Sequence, residues 1–399
     1  MNTIEITKRK FLVVNKDIFL YLWIALYIFY TFWFQYSFFE VPGILSISGG
    51  VILLLTVIEI RRLRDYSLML PLFVFLIFLF LISIFNTRTI NYTILIMKYL
   101  IPCLGTFAYA RKSRKHFVRI IGTVFAACLF VAISLIVSGE ITYDGALQLN
   151  NLNINQASNF FSLGLTFGLL LIDIKKGLDI KNVILIFSMV LLCAAQIMCA
   201  SRRGFLVMLF LVVTYVFSLL NTIFKKNYYL KIIIIITIVT ICFFLLSIYG
   251  SNLSALPIFE RLSGNNTTGD AARMSYQAVA IQIFKNNPII GSGLGSVALV
   301  LGVYSHSLYF ELLACTGIIG FIIIIGYLLF LFFKINKIRI IRKHSQNMDA
   351  FYDLFMMIYV LSIFISGIAM VFIYESYFYI MLAIAASYIY EESSLILKR

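Results

Sequence analysis

Residues 68–85 read "LMLPLFVFLIFLFLISIF", eighteen residues without a charge. Nothing in this chain constrains its fold more than such runs, because apolar stretches of this length recur from end to end. A backbone in hydrocarbon must satisfy its own N–H and C=O groups, so each run is expected to be a transmembrane helix. Twelve candidate spans fall near 17–39, 41–60, 67–85, 91–109, 117–138, 156–174, 183–200, 204–222, 230–249, 306–333, 351–372 and 374–390. A β-barrel is excluded, since its strands alternate polar and apolar residues. Composition agrees: 62% of the residues are hydrophobic and 12% charged, against about a quarter charged in soluble domains. The expected class is an all-α, polytopic integral membrane protein. The N-terminus puts basic residues before an apolar run with no small-residue cleavage site after it, and reads as a retained first span.

The net charge of +15 would suggest nucleic acid in a soluble protein. Topology explains it better, and no nucleic-acid partner is expected. With the N-terminus inside, 25 of the 32 Lys and Arg fall in cytoplasmic segments such as "RRLR", "RKSRKHFVR" and "KINKIRIIRK". That bias follows the positive-inside rule and puts both termini in the cytoplasm. Three parts follow: helices 1–9 over 1–249, a large external loop over 250–305, and helices 10–12 over 306–399. A shorter external segment covers 139–155. His116 and His344 fall in cytoplasmic basic loops and read as solvated.

Seven cations resist the rule: Arg88, Lys98, Arg202, Arg203, Arg261, Arg273 and Lys285. Arg88, Arg261 and Lys285 read individually as solvated loop charges. Arg202 and Arg203 sit side by side at membrane depth, where an arginine costs about 2.5–3.5 kcal/mol on insertion scales. Their plain alternative is snorkelling to headgroups; a substrate site is favoured. In the long loop, Asp270 is expected to cap a helix with Met274, Ala278 and Ile281 as its apolar positions, ending before Pro288, with Arg273 in its first turn. "GSGLGS" at 291–296 has no preceding strand and is no dinucleotide fingerprint. Gly291, Gly293 and Gly295 suit a tight turn or, equally, a phosphate cradle of backbone N–H groups. His306 stands at the external start of a span with Glu311 just beyond it, and its pKa suits activation of a hydroxyl. No Asp-x-Asp or His/Asp cluster lies on the outer side, so no metal or other cofactor is expected.

Together "SRRGFL" and "HSLYFELLACTGIIG" resemble the O-antigen ligase/polymerase family of bacterial envelope glycosyltransferases. Arg202 and Leu206 match its Arg-x3-Leu motif. His306, Ser307, Gly317 and Gly320 match its His-Asn/Ser/Gln, nine residues, Gly-x-x-Gly motif. "NNPIIGSGLGS" is similar to its proline-glycine segment, and "NINQAS", through Asn155, to its Asn-rich entry to a middle span. The likeness covers about the second two-thirds of the chain.

The resemblance implies glycan transfer from an undecaprenyl-diphosphate-linked donor to a sugar hydroxyl, on the periplasmic face of the cytoplasmic (inner) membrane. Arg202, Arg203 and His306 are the expected catalytic residues. Arg273, Arg261, Asn155, Gly293, Gly295, Glu311 and Lys98 are expected to bind substrate. Arginine suits a diphosphate leaving group because its fork donates in pairs. Partners are the lipid-linked donor and acceptor, membrane lipids and a chain-length regulator protein. Polymerisation of O-antigen or capsule repeat units is favoured by an Ile-, Lys- and Asn-rich composition that suits a polysaccharide gene cluster. Ligation to lipid A core is the alternative within the family. A flippase is the competing class, although it should show charges in both halves, where Lys98 is the clear first-half candidate. The cysteines all lie in or beside apolar spans and are expected as free thiols.

Overall fold

The computed structural model describes residues 2–34, 43–59, 63–141, 147–149, 152–172, 179–223, 258, 268–344 and 349–397. Helical segments stand at eleven of the twelve expected positions among these residues; the ninth, 230–249, lies outside them. Five are long and apolar enough to cross a membrane: Asp65–Phe85, Thr87–Ala110, Arg114–Ser138, Ile180–Met198 and Leu308–Arg342. Ile44–Ile58 and Tyr352–Gly367 are shorter apolar helices. The remaining helices carry visible polar positions, such as Asn155, Gln156 and Asn159 in Ile154–Leu171 and Glu391 and Glu392 in Ser376–Leu397. The chain is thus a mostly helical, multi-pass membrane protein. That agrees with the all-α expectation, and one short strand pair accompanies the helices. Glu140–Ile141 and Leu147–Gln148 pair antiparallel as a short hairpin, closing the segment read as an external loop.

Local chemistry sets the helix ends. The Asn153 side chain accepts the Asn155 N–H at 2.8 Å and opens Ile154–Leu171. Asp179 accepts from Asn182 at 2.8 Å and opens Ile180–Met198. Hydroxyls in apolar surroundings bond back to their own helix: Thr56 to Ile52 O at 2.6 Å, Ser83 to Leu79 O at 2.9 Å and Ser387 to Ala383 O at 2.7 Å.

The chain divides into two compact units, residues 1–127 with 270–399 and residues 128–269. In the first, Ile90–Ala110 packs against Ser376–Leu397 and Ile44–Glu59, and Leu308–His344 against Asp349–Gly367 and Leu70–Phe85. Gly105 lets Ile44–Glu59 approach closely, since a Cβ there would lie 2.2 Å from Ile52 Cγ2. The basic ends are pinned rather than merely solvated. Buried Arg342 bonds Asp353 at 3.0 Å and also Glu392, which Arg114 meets at 2.9 Å. His116 also departs from the solvated reading: its ring stacks edge-on to Tyr109 at 4.7 Å and bonds Ser113 Oγ at 2.7 Å. In the second unit, Ile154–Leu171 packs on Ile180–Met198 and Arg202–Ile223 and is buried without a break from Ala157 to Leu169.

Candidate active site

The second unit holds the arginine pair. Between Met198 and Arg202 the chain turns sharply, and Ala200 takes φ 52°. The left-handed region costs a residue with a Cβ about 1–2 kcal/mol. Bonds from Cys199 N–H to Ala195 O (2.9 Å) and Ala200 N–H to Ile197 O (3.0 Å) hold the turn. Ser201 Oγ donates to Asn155 Oδ1 at 3.3 Å. Ala200 is buried against Ile258, with Ile154, Ile197 and Phe205 around it. The turn delivers Arg202 and Arg203 to the first turn of Arg202–Ile223, both half-buried. Arg203 Nη2 donates to Asn155 O at 3.0 Å, so two of the expected site residues meet. Gly204 is required by closeness: a Cβ would lie 1.7 Å from Ser158 Oγ. Helix N-termini favour anions and disfavour cations. The start of Arg202–Ile223 therefore places two cations where the backbone repels them, and an anion arriving there would gain from both.

The histidine lies in the first unit, on a device built from the two other motifs. Leu308–His344 leaves helical geometry at Gly317 (φ 60°, ψ −165°). In an unbroken helix, the N–H groups of Ile318 and Ile319 would bond the carbonyls of Ala314 and Cys315. Here the glycine-rich loop takes over both sides of that exchange. Ser292 and Gly293 donate to Ala314 O (3.0 Å) and Cys315 O (2.8 Å), while Ile318 and Ile319 donate to Pro288 O (2.9 Å) and Ile289 O (3.3 Å). All four groups released by the break are satisfied, as buried backbone requires. A Cβ on Gly317 would lie 2.3 Å from Ile289 O, and one on Gly291 2.4 Å from the Cys315 carbonyl carbon. "NPIIGSGLGS" and "CTGIIG" are two halves of one splice.

His306 precedes this helix with φ 59°. Ala200 and His306 are the two non-glycine residues at positive φ among the described residues. Its neighbours are anchored. Buried Ser305 donates its N–H to Glu311 Oε2 at 3.0 Å and its hydroxyl to Ser307 O at 3.0 Å. The fully buried Glu311 also accepts the Tyr374 hydroxyl on Oε1 at 3.0 Å, and Tyr374 in turn accepts the Gly295 N–H at 2.8 Å. His306 itself is half-buried and stacks with Tyr276, centroids 5.7 Å apart at 30°. Burial first, and the Arg273 cation second, push the His306 pKa below that of a free imidazole. At neutral pH the ring is therefore uncharged and able to accept a proton.

The remaining expected residues are distributed as follows. Thr268–Asn286 is the expected helix, but Asp270 lies inside it, Arg273 falls in the second turn, and Met274, Ala278 and Ile281 are exposed. The buried Ala280, seven residues beyond Arg273, marks its inward face, which also carries Tyr276. The N–H groups of Gly293 and Gly295 are bonded within the protein, which fits a turn better than a phosphate cradle. Lys98 is exposed on Ile90–Ala110, about 9 Å of helical rise from Tyr92. Arg261 lies outside the described residues. Among the described residues, Cys103, Cys128, Cys193, Cys199 and Cys315 are joined in no disulfide. Among the described residues no group of three His, Cys, Asp or Glu is gathered as metal ligands would be. Tyr276, Ser305 and Tyr374 carried no sequence signal, since each works through a contact distant in the chain or through its backbone.

The fold and these two strained turns define a multi-pass membrane protein with a basic and a histidine-bearing motif. Residues 187–325, about a third of the chain, match the family described as O-antigen ligase. The match takes in both Arg202–Leu206 and His306–Gly320 and supports an O-antigen ligase/polymerase-type family, whose members are membrane glycosyltransferase-like enzymes. No curated protein matches the chain.

Proposed function

We propose that the protein extends a polysaccharide on the outer face of the cytoplasmic membrane, transferring glycan from an undecaprenyl-diphosphate donor to a sugar hydroxyl of the next lipid-linked repeat unit. The observation that carries this reading is the coincidence of strain and motif. Ala200 and His306 hold unfavourable backbone conformations at the two motifs, and such strain persists where surrounding structure enforces it, often for function. Arg202 and Arg203, with Arg273, bind the diphosphate and stabilise charge that grows on it as the anomeric bond breaks. Neutral His306 takes the proton of the attacking hydroxyl, the new glycosidic bond forms, and the lipid diphosphate leaves with the electron pair. Asn155 orients Arg203 through its carbonyl. The chemistry as written asks for no cofactor. Both termini lie in the cytoplasm, and a chain-length regulator protein is the expected partner.

Ligation of finished glycan to lipid A core is the second reading, favoured by the description of the matching family. The same match favours transfer over transport. Deletion of the gene followed by glycan analysis decides among them. Chains stopping at one repeat support polymerisation, full-length glycan stranded on undecaprenyl diphosphate means ligation, and repeats trapped inside mean a flippase.

A further inference from the structure

Two residues before His306 stands Tyr304, which the proposed chemistry leaves unused. The residue is 37% exposed, and its ring lies face to face with Tyr374, centroids 4.6 Å apart at 24°. Tyr374 is a firm base for it. That side chain is buried, donates to Glu311 and accepts from Gly295, and Tyr92 leans on it at 5.4 Å and 57°. Burial first, and Tyr92 second, push the Tyr304 phenol up to about 12, so it stays neutral. Across two residues the backbones of Tyr304 and His306 lie within about 7 Å. Ser305 between them is locked to Glu311, so both side chains start from a fixed frame.

Aromatic faces carry partial negative charge and bind partly positive C–H edges. The C–H-rich face of a sugar ring offers that surface, while the rim hydroxyls stay wet. Pockets for small ligands place such apolar faces beside a few polar groups. We propose that Tyr304, backed by Tyr374, is the platform on which a sugar ring of the substrate stacks next to His306. The platform would align the ring so that one hydroxyl meets the imidazole. This inference rests on the proposed glycosyl transfer. The sugar belongs either to the acceptor repeat unit or to the donor end.

The test uses the full-length protein in membranes, with the lipid-linked repeat-unit donor and, as acceptor, repeat-unit oligosaccharide released from the cell's own polysaccharide. Tyr304→Leu should raise KM about tenfold, the loss of one good aromatic contact. Tyr304→Phe should raise it less, because the stacking face remains. A rise in the acceptor KM assigns the ring to the acceptor, and one in the donor KM to the donor. Unchanged KM for both, with less protein in the membrane, would overturn the platform and leave Tyr304 as an interfacial anchor. Should the Leu variant fail to insert, Tyr304→Trp replaces it. A change in its tryptophan fluorescence that saturates with oligosaccharide supports the platform, and an unaltered spectrum overturns it. His306→Ala in the same assay separates the two levels. Loss of transfer there with normal KM in Tyr304→Leu sinks the platform alone, whereas normal transfer in His306→Ala sinks the underlying reading.

Discussion

The arginine end and the histidine end each hold one strained residue, Ala200 at φ 52° and His306 at φ 59°, yet they are secured differently. The fastening of the arginine end includes two turn bonds, the Ser201–Asn155 and Arg203–Asn155 hydrogen bonds, a small apolar cluster and the close fit of Gly204 on Ser158. At the histidine end four backbone bonds rebuild a broken helix, and a buried carboxyl group ties Ser305 to Tyr374. A group that must give or take a proton needs a position accurate to a fraction of an ångström. Long guanidinium arms binding a diphosphate can adapt to it. The rigid splice suits chemistry, and a turn that presents two long arms suits binding.

If that contrast is right, the largest effect belongs to His306→Ala. Removing a general base typically costs about 10²–10⁴-fold. Rates of glycan extension per molecule in isolated membranes should fall by that order with normal protein level. Next come Arg202→Ala and Arg203→Ala. Each removes charge-assisted hydrogen bonds worth about 1.5–3 kcal/mol, so at least tenfold should be lost, most of it in donor binding. Lys should recover only part, lacking the paired donors. A wholly kcat-based loss at the arginines would erase the division of labour.

The rigid end makes its own prediction. Gly317→Ala puts a Cβ 2.3 Å from Ile289 O at a φ suited to glycine, so the protein should be poorly folded, seen as reduced membrane level and earlier thermal aggregation. Gly302, also at positive φ but with open space around it, should lose far less when changed to Ala. Similar losses at both would mean that strain alone, and not the splice, matters at Gly317.

How legible this was differs along the chain. Apolar runs announced the helices because hydrocarbon leaves the backbone no alternative. The glycines in "NPIIGSGLGS" and "GIIG" were visible as special, but their pairing was not, since the bonds joining them link residues up to thirty apart. Asn155 was picked for its place in a motif; that its carbonyl accepts from Arg203 and its side-chain oxygen from Ser201 was not visible there. Tyr374 was one tyrosine among 24. Thr268–Asn286 was legible as a helix, but its start ahead of Asp270 and the stacking of Tyr276 on His306 were not.

The smallest expected effect is a pH shift. His306 has a lowered pKa, so the uncharged base persists through neutrality and activity is lost as pH falls through that lowered value. Arg273→Gln removes a cation that contributes to the lowering. The acid limb of kcat should then move to higher pH, toward that of a free imidazole. An unmoved or downward limb would detach Arg273 from the histidine.

The central claim is that the arginine pair and His306 serve one transfer reaction. Its most direct test is glycan chain length measured beside membrane protein level, in a deletion strain carrying His306→Ala or Arg202→Ala. The account predicts normal protein levels with glycan stopped at one or a few repeats for both variants. Normal-length glycan from well-expressed variants would contradict it.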